Sequence, residues 1–209
     1  MDGSKEEAEE PRKQVEWMDG GEKRPIILVD YDPAWPALYE AARIVIENAL
    51  GALPHRTSHV GSTSVPRLRA KPIVDIQLSV PNPDDEQPYR APLETAGYVL
   101  RVREPGHRML RTPTLDAQVH VCAIGSQWER EHLLFRDWLR HSYEDRRLYL
   151  DVKEALAPLD WPTVNDYADA KSGVIAQIML RAEPWAAHVG WSVEGSVRGI
   201  VGQDEESQP

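Results

Sequence analysis

Between residues 33 and 51 the chain reads PAWPALYEAARIVIENALG, where Leu38, Ala41, Ala42, Val45, Ile46 and Ala49 recur at the spacing of one helical face. This spacing predicts a helix from about Pro33 to Gly51, with Asp32 as its natural cap, proline in the first turn and glycine at the end. The period then changes. Extended segments are predicted at residues 56–60, 72–80, 98–103, 108–111 and 118–123, separated by Pro and Gly punctuation. Helical spacing returns at 128–140, 143–156 and 166–182. One helix, a set of strands and then a run of helices imply an α+β fold whose mostly β centre is covered by helices.

The ends lack this order. Residues 1–24 are polar, charged and aperiodic, which predicts a disordered acidic arm, and 203–209 reads as a similar tail. The expected organisation is therefore an arm at 1–24, one domain at 25–183 and an extension at 184–209. In the extension, Trp185, Trp191 and the alternation of VEGSVRGIV suggest an extra hairpin or a packed strap.

Two strands carry polar faces. In KPIVDIQLSV a period of two sends Lys71, Ile73, Asp75, Gln77 and Ser79 one way and Val74, Ile76, Leu78 and Val80 the other. An aspartate in mid-strand opposes β-propensity, so Asp75 needs a metal, a basic side chain or a hydrogen-bond partner. In LDAQVHVCA the residues Asp116, Gln118, His120 and Cys122 share one face, opposite Val119 and Val121. His120 reads either as a packed histidine or as a partner of Asp75 across one groove. Upstream, a Gly61-Ser62 pair suits a plain turn, and equally a turn whose N–H groups approach a phosphate. On the last helix Tyr167, Lys171, Val174, Ile175 and Ile178 fall on one stripe. Lys171 at its centre either snorkels or reaches an anion such as a phosphate or Asp75.

Bulk properties narrow the function. A chain of 209 residues that is 41% hydrophobic and 28% charged, with no apolar run of membrane-spanning length, suits a single soluble domain. The acidic start lacks the apolar core of a secretory signal, and Cys122 is the lone cysteine, so a cytoplasmic location is expected, without disulfides or cysteine-based zinc. A net charge of -10 opposes extensive nucleic-acid binding. A local basic pocket for a small anion stays open, because Arg101, Arg103, Arg108 and Arg111 cluster, although solvated strand positions would account for them equally.

Several motifs together carry a family resemblance. YDPAWP at 31–36, HVGSTSVP at 59–66, AKPIVDI at 70–76, VHV at 119–121, HLLFRDWLR at 132–140 and the tyrosine and lysine of DYADAKSGVI resemble the GrpB family, a group within the nucleotidyltransferase superfamily. The resemblance covers about residues 26–182. It implies a nucleotidyltransferase-like small mixed sheet flanked by helices, and the same domain occurs fused to dephospho-coenzyme A kinase in some bacteria. This chain has no GxxxxGK[ST] loop, so it lacks the kinase half.

By resemblance, Gly61 and Ser62 are the phosphate turn, Asp75 is the first ligand of Mg²⁺ and a catalytic residue, and His120 lines the same groove as a second catalytic candidate. Arg108, Arg111 and Lys171 would neutralise phosphates. The superfamily places a second carboxylate two residues after the first, and this chain has Gln77, a much poorer ligand for a hard cation. Gln118 similarly replaces the first histidine of the family's His-x-His pattern, and Arg67 stands where glycine usually follows Val-Pro. Asp116, on the His120 face, could restore a carboxylate as a second metal ligand. Two functions remain: a binder of a nucleotide or other phosphorylated small molecule, with Mg²⁺-dependent nucleotidyl transfer as its reaction, or a catalytically degenerate module that binds or assembles with a protein partner.

Overall fold

The computed structural model describes residues 15–18, 23–114 and 116–197. Helix α1 (Trp35–Leu50) begins beside Asp32, whose carboxylate accepts the Ala34 N–H at 2.8 Å, and ends at Gly51 with φ 55°. Among the described residues a six-stranded sheet follows the order β1-β4-β5-β6-β3-β2. Its strands are β1 (Glu16–Trp17), β2 (Arg56–Val60), β3 (Val74–Val80), β4 (Val99–Glu104), β5 (His107–Arg111) and β6 (Ala117–Ala123). Only β3 and β6 run parallel, and the other pairs are antiparallel. The fold is thus α+β with a mixed sheet, as expected.

The alternation read from the sequence decides the layers. Val74, Ile76, Leu78 and Val80 of β3 join Val119 and Val121 of β6 in one core, capped by Trp35, Ile46 and Leu50 of α1 and by Leu93 of α2 (Arg90–Thr95). The opposite face is covered by α3 (Gln127–His141), which packs against β2 and β6. Behind it lie α4 (Tyr143–Leu156), α6 (Ser172–Val189) and the short α7 (Val193–Val197). Serine side chains cap two of these helices: Ser126 accepts the Glu129 N–H and Ser142 the Asp145 N–H.

Three expectations need correction. The helix expected over 166–182 is two helices, α5 (Val164–Asp169) and α6, parted at Ala170 and Lys171. Thr163 and Asp166 form a capping box that starts α5 early, and the Lys171 carbonyl begins the α6 ladder anew by accepting the Ile175 N–H. The expected boundary at 183/184 falls inside α6, because Trp185 and Ala186 pack with Ala182 and Leu134 and carry the helix past Pro184. Of the hairpin and the packed strap expected for the extension, residues 193–197 take the second form, as the short helix α7 whose Ser192 accepts the Gly195 N–H; residues 198–209, with the expected tail, lie outside the described residues. The arm expected over 1–24 includes β1, where Glu16 and Trp17 pair with Arg103 and Val102, while residues 1–14 lie outside the described residues. Among the described residues no helix is long and apolar enough to cross a membrane.

Candidate functional site

The last residue of β2, Val60, pairs with Asp75 in β3, so the turn that follows starts beside that carboxylate. Gly61 sits there at φ 67°, and a Cβ on it would lie 2.3 Å from Oδ2 of Asp75. Glycine is required both by the left-handed backbone and by the approach. Ser62–Ser64 form one turn of 3₁₀ helix, closed by the Ser64 hydroxyl donating to the Gly61 carbonyl at 2.6 Å. Tyr149 of α4 lies beside Ser62.

Two arginines of HLLFRDWLR clamp this turn from α3. Arg136 donates to the His59 carbonyl at 3.0 Å, and Arg140 donates twice to the Ser64 carbonyl, at 3.0 and 2.8 Å. Arg136 is also held by Asp137 at 2.7 Å and by the Ser196 hydroxyl at 2.6 Å, while Trp191 donates to Asp137 at 3.0 Å. The strap α7 is therefore tied to the back of the turn. His59 at its front stacks on Tyr39 and meets Thr63 at 3.0 Å, and burial holds its pKa at about 4. This imidazole is neutral.

Lysines gather beside the tyrosines of α4 and α5. Lys171 lies 4.0 Å from the centroid of the Tyr167 ring and donates to the Tyr167 carbonyl at 3.1 Å; Lys71 lies 5.7 Å from the same centroid. Lys153, only 3% exposed, donates to the Arg69 carbonyl. Burial lowers Lys153 to about 7, helped by Lys171 and Lys71, with Asp75 opposing. Lys171 falls to about 7 for the same reasons, with Asp75 and Asp169 opposing. The buried Tyr167 hydroxyl has no hydrogen-bond partner. An anion beside Asp75 would relieve such an assembly, since burial penalises each ammonium and the lysines repel one another.

Gly61, Ser62, Asp75 and Lys171 thus meet as expected, and His120 joins them with Nε2 3.7 Å from Oδ1 of Asp75. Arg111 lies on the same face, in a row that runs Arg111, Gln118, Asp75 across β5, β6 and β3. Arg108 does not join them. It shares the opposite face with Leu110 and is bound to Glu86 at 2.6 Å and to Asp84 at 3.0 Å, because strand alternation turns it away from Arg111. Asp116 is likewise engaged elsewhere, accepting from the hydroxyls of Thr112 and Thr114 in the turn before β6, and the Thr112 bond holds its carboxyl below the usual range.

The donor set does not fit a resident magnesium ion. Gln77 is 1% exposed with its carbonyl oxygen unpartnered, and among the described residues no three His, Cys, Asp or Glu side chains gather as metal ligands.

Lys71, Lys153, Tyr149, Arg136 and Arg140 were not assigned roles from sequence. Lys153 had a signal, since Asp145, Tyr149 and Lys153 recur at every fourth residue and are the buried face of α4. A lysine on a buried stripe is the same anomaly as Lys171.

Residues 25–181 match the family described as GrpB protein. A UPF0157 protein of Streptomyces coelicolor is 51% identical over 168 residues, covering 80% of this chain and 90% of that protein. A dephospho-CoA kinase of Mycobacterium leprae is 30% identical over 201 residues, covering 80% of this chain and 48% of the kinase. The crystal structure of the conserved protein GrpB from Enterococcus faecalis superposes with a TM-score of 0.66 at 28% identity, over 76% of this chain and 99% of that one. With the match spanning the turn, the Asp75 strand, the α3 arginines and Lys171, the chain belongs to the GrpB family.

Proposed function

We propose that this protein binds a nucleotide or another phosphorylated small molecule, with the phosphates against the Gly61–Ser62 turn and among Lys71, Lys153 and Lys171. The observation that carries this reading is the gathering of Lys71 and Lys171 over the Tyr167 ring with Lys153 close by, Lys153 and Lys171 both depressed to about 7 by burial and by neighbouring lysines. A di- or triphosphate would offset that excess, take hydrogen bonds from the ammonium groups and give the Tyr167 hydroxyl an acceptor. Arg111 is a further phosphate partner from the same face. Nucleotidyl transfer to an acceptor is the reaction class that follows from the turn, Asp75 and His120, with Mg²⁺ arriving on the ligand's phosphates.

The test is thermal stability with each nucleoside triphosphate and with pyrophosphate, with and without Mg²⁺. A ligand at a hundredfold excess over its Kd stabilises by about 2.7 kcal/mol. Absence of a shift with every one of them would sink the reading. A second reading, a module that binds or assembles with a protein partner without catalysis, is favoured by Gln77, a buried neutral amide where the superfamily has its second carboxylate. Binding without turnover of any triphosphate, and without a requirement for Mg²⁺, would favour that module.

A further inference from the structure

A second line of groups crosses the same face of the sheet as the lysine cluster. Oε1 of Glu104 lies 2.7 Å from Nδ1 of His107, and Nε2 of His107 lies 3.1 Å from Nδ1 of His120. Nε2 of His120 then faces Oδ1 of Asp75 at 3.7 Å. Trp128 of α3 fixes the rings from above, with its centroid 5.0 Å from that of His107 and 5.7 Å from that of His120. Its far contact is His132, stacked at 3.6 Å.

The hydrogens can be placed from one end. An ionised carboxylate only accepts, so His107 carries its hydrogen on Nδ1. Burial holds His107 below the usual histidine range, so the ring is neutral and its Nε2 accepts the Nδ1 hydrogen of His120. In the neutral ring this leaves the lone pair of His120 on Nε2, which faces Oδ1 of Asp75. Two acceptors facing each other at 3.7 Å gain from a donor placed between them. The other groups around His120 do not change this order: Gln77 on β3 is an amide and His132 is held at about 4 by burial.

We infer that Nε2 of His120 and Oδ1 of Asp75 form a subsite for a hydroxyl group of an accepting substrate, whose proton His120 takes, and that His107 and Glu104 are positioning residues that hold His120 in the accepting tautomer. The inference rests on the proposed reading that the groove holds the phosphates of a nucleoside triphosphate. In the step, the acceptor O–H bond breaks and its proton goes to Nε2 of His120, while the oxygen's electron pair forms the bond to the α-phosphorus. The bond from that phosphorus to the bridging oxygen breaks, and pyrophosphate leaves with the electron pair. The Nδ1 proton of His120 passes to Nε2 of His107, and the Nδ1 proton of His107 passes to Glu104. Glu104 retains 23% exposure and opens on a surface groove of about 610 Å³ that it lines with Glu16, Arg103 and Arg108, so the proton has a way out.

The test needs no turnover. Full-length protein labelled with ¹⁵N-histidine is examined at pH 7.5 by long-range ¹H–¹⁵N spectra, and His120 is expected mainly as the Nδ1–H tautomer. His107→Phe keeps a ring against Trp128 and should return His120 mainly to Nε2–H, the form free histidine prefers in water; Glu104→Leu should do the same at one remove. His120 found as Nε2–H in the wild type, or unmoved in both variants, would overturn the chain. The hydroxyl subsite is read with glycerol, which should shift the His120 Nε2 resonance, against its trimethyl ether, which should not. Equal shifts, or none at molar glycerol, would overturn the subsite. Pyrophosphate stabilisation of the wild type is measured alongside: its absence sinks the phosphate reading and leaves the tautomer result standing.

Discussion

The protein contains two basic clusters that differ in what faces them. Arg90, Arg103 and Arg108 all converge on Glu86, at 3.2, 2.5 and 2.6 Å, and Arg108 has Asp84 as well. These bonds, that to Arg103 first, hold the Glu86 carboxyl at about 2. Lys71 and Lys171 lie over the Tyr167 ring and Lys153 over that of Tyr149, with Asp75 a neighbouring carboxylate of Lys153 and Lys171, and burial has pushed these two to about 7. A cation matched by carboxylates in good geometry is part of the scaffold, while buried cations in excess of their carboxylates mark a place for an anion. The arginine cluster therefore holds β4 and β5 to the segment before α2, and the lysine cluster is the candidate site.

The largest effect should come from emptying the first cluster. Glu86→Ala leaves Arg108, whose side chain is 7% exposed, without its closest carboxylate, and should cost about 3 kcal/mol of stability in denaturant unfolding. Pyrophosphate binding by the folded protein should be unchanged. A variant that keeps its stability, or loses its ligand, would erase the distinction between the clusters. Lys171→Met should do the opposite. It removes a charge held in an unfavourable place and keeps the apolar stem, so stability at pH 7 should rise by about 1 kcal/mol while pyrophosphate-induced stabilisation is largely lost. Loss of stability together with loss of binding would mean that Lys171 is structural.

The pH dependence sharpens the contrast because the two signs are opposed. Glu86 has a folded pKa of about 2 against an ordinary 4.5, so its contribution is present above 4.5 and is lost as the pH falls toward 2. The deficit of Glu86→Ala should shrink through that window. Lys171 has a folded pKa of about 7 against an ordinary 10.5, so between these values the unfolded chain binds more protons and folded wild type gains stability as the pH rises. The advantage of Lys171→Met should be full below 7 and fade toward 10.5. An anion that needs the ammonium form must also bring a proton with it. Pyrophosphate binding should weaken between pH 7.5 and 9 by about tenfold per pH unit for each lysine protonated, as titration calorimetry would show. Flat binding across that range would separate the lysines from the ligand.

Much of this was legible because strands write their faces in alternate residues. KPIVDIQLSV gave both the core and the position of Asp75, and segment 56–60 coincides with β2. Strand alternation also carried the error at Arg108: adjacent arginines were grouped by sequence proximity, although residues 108 and 111 of one strand must point to opposite faces. What sequence spacing could not give is the meeting of distant elements. Lys71 precedes β3, Lys153 lies on α4 and Lys171 opens α6, and only the packing of the helices beside the turn brings Lys71 and Lys171 to the Tyr167 ring with Lys153 close by at Tyr149. His107 was hidden for a like reason. Its role depends on the antiparallel register of β5 with β6, which sets it beside His120 rather than on any motif of its own.

The smallest expected effect concerns a basic residue that belongs to neither cluster. Arg67 is exposed at φ 66°, the one non-glycine with positive φ among the described residues. The Leu68 N–H donates to the Val65 carbonyl at 3.3 Å around Pro66 and Arg67, a turn with proline at its second position whose third position requires φ > 0 and favours glycine. Relief of that strain is opposed by the greater freedom glycine gives the unfolded chain. Arg67→Gly should therefore stabilise by only about 0.5 kcal/mol, a rise in Tm of a few degrees at most. Arg67 is exposed, and pyrophosphate binding should not change. Weaker binding in Arg67→Gly would show that this strained arginine is kept for the ligand, and the cluster that defines the site would then extend across the turn.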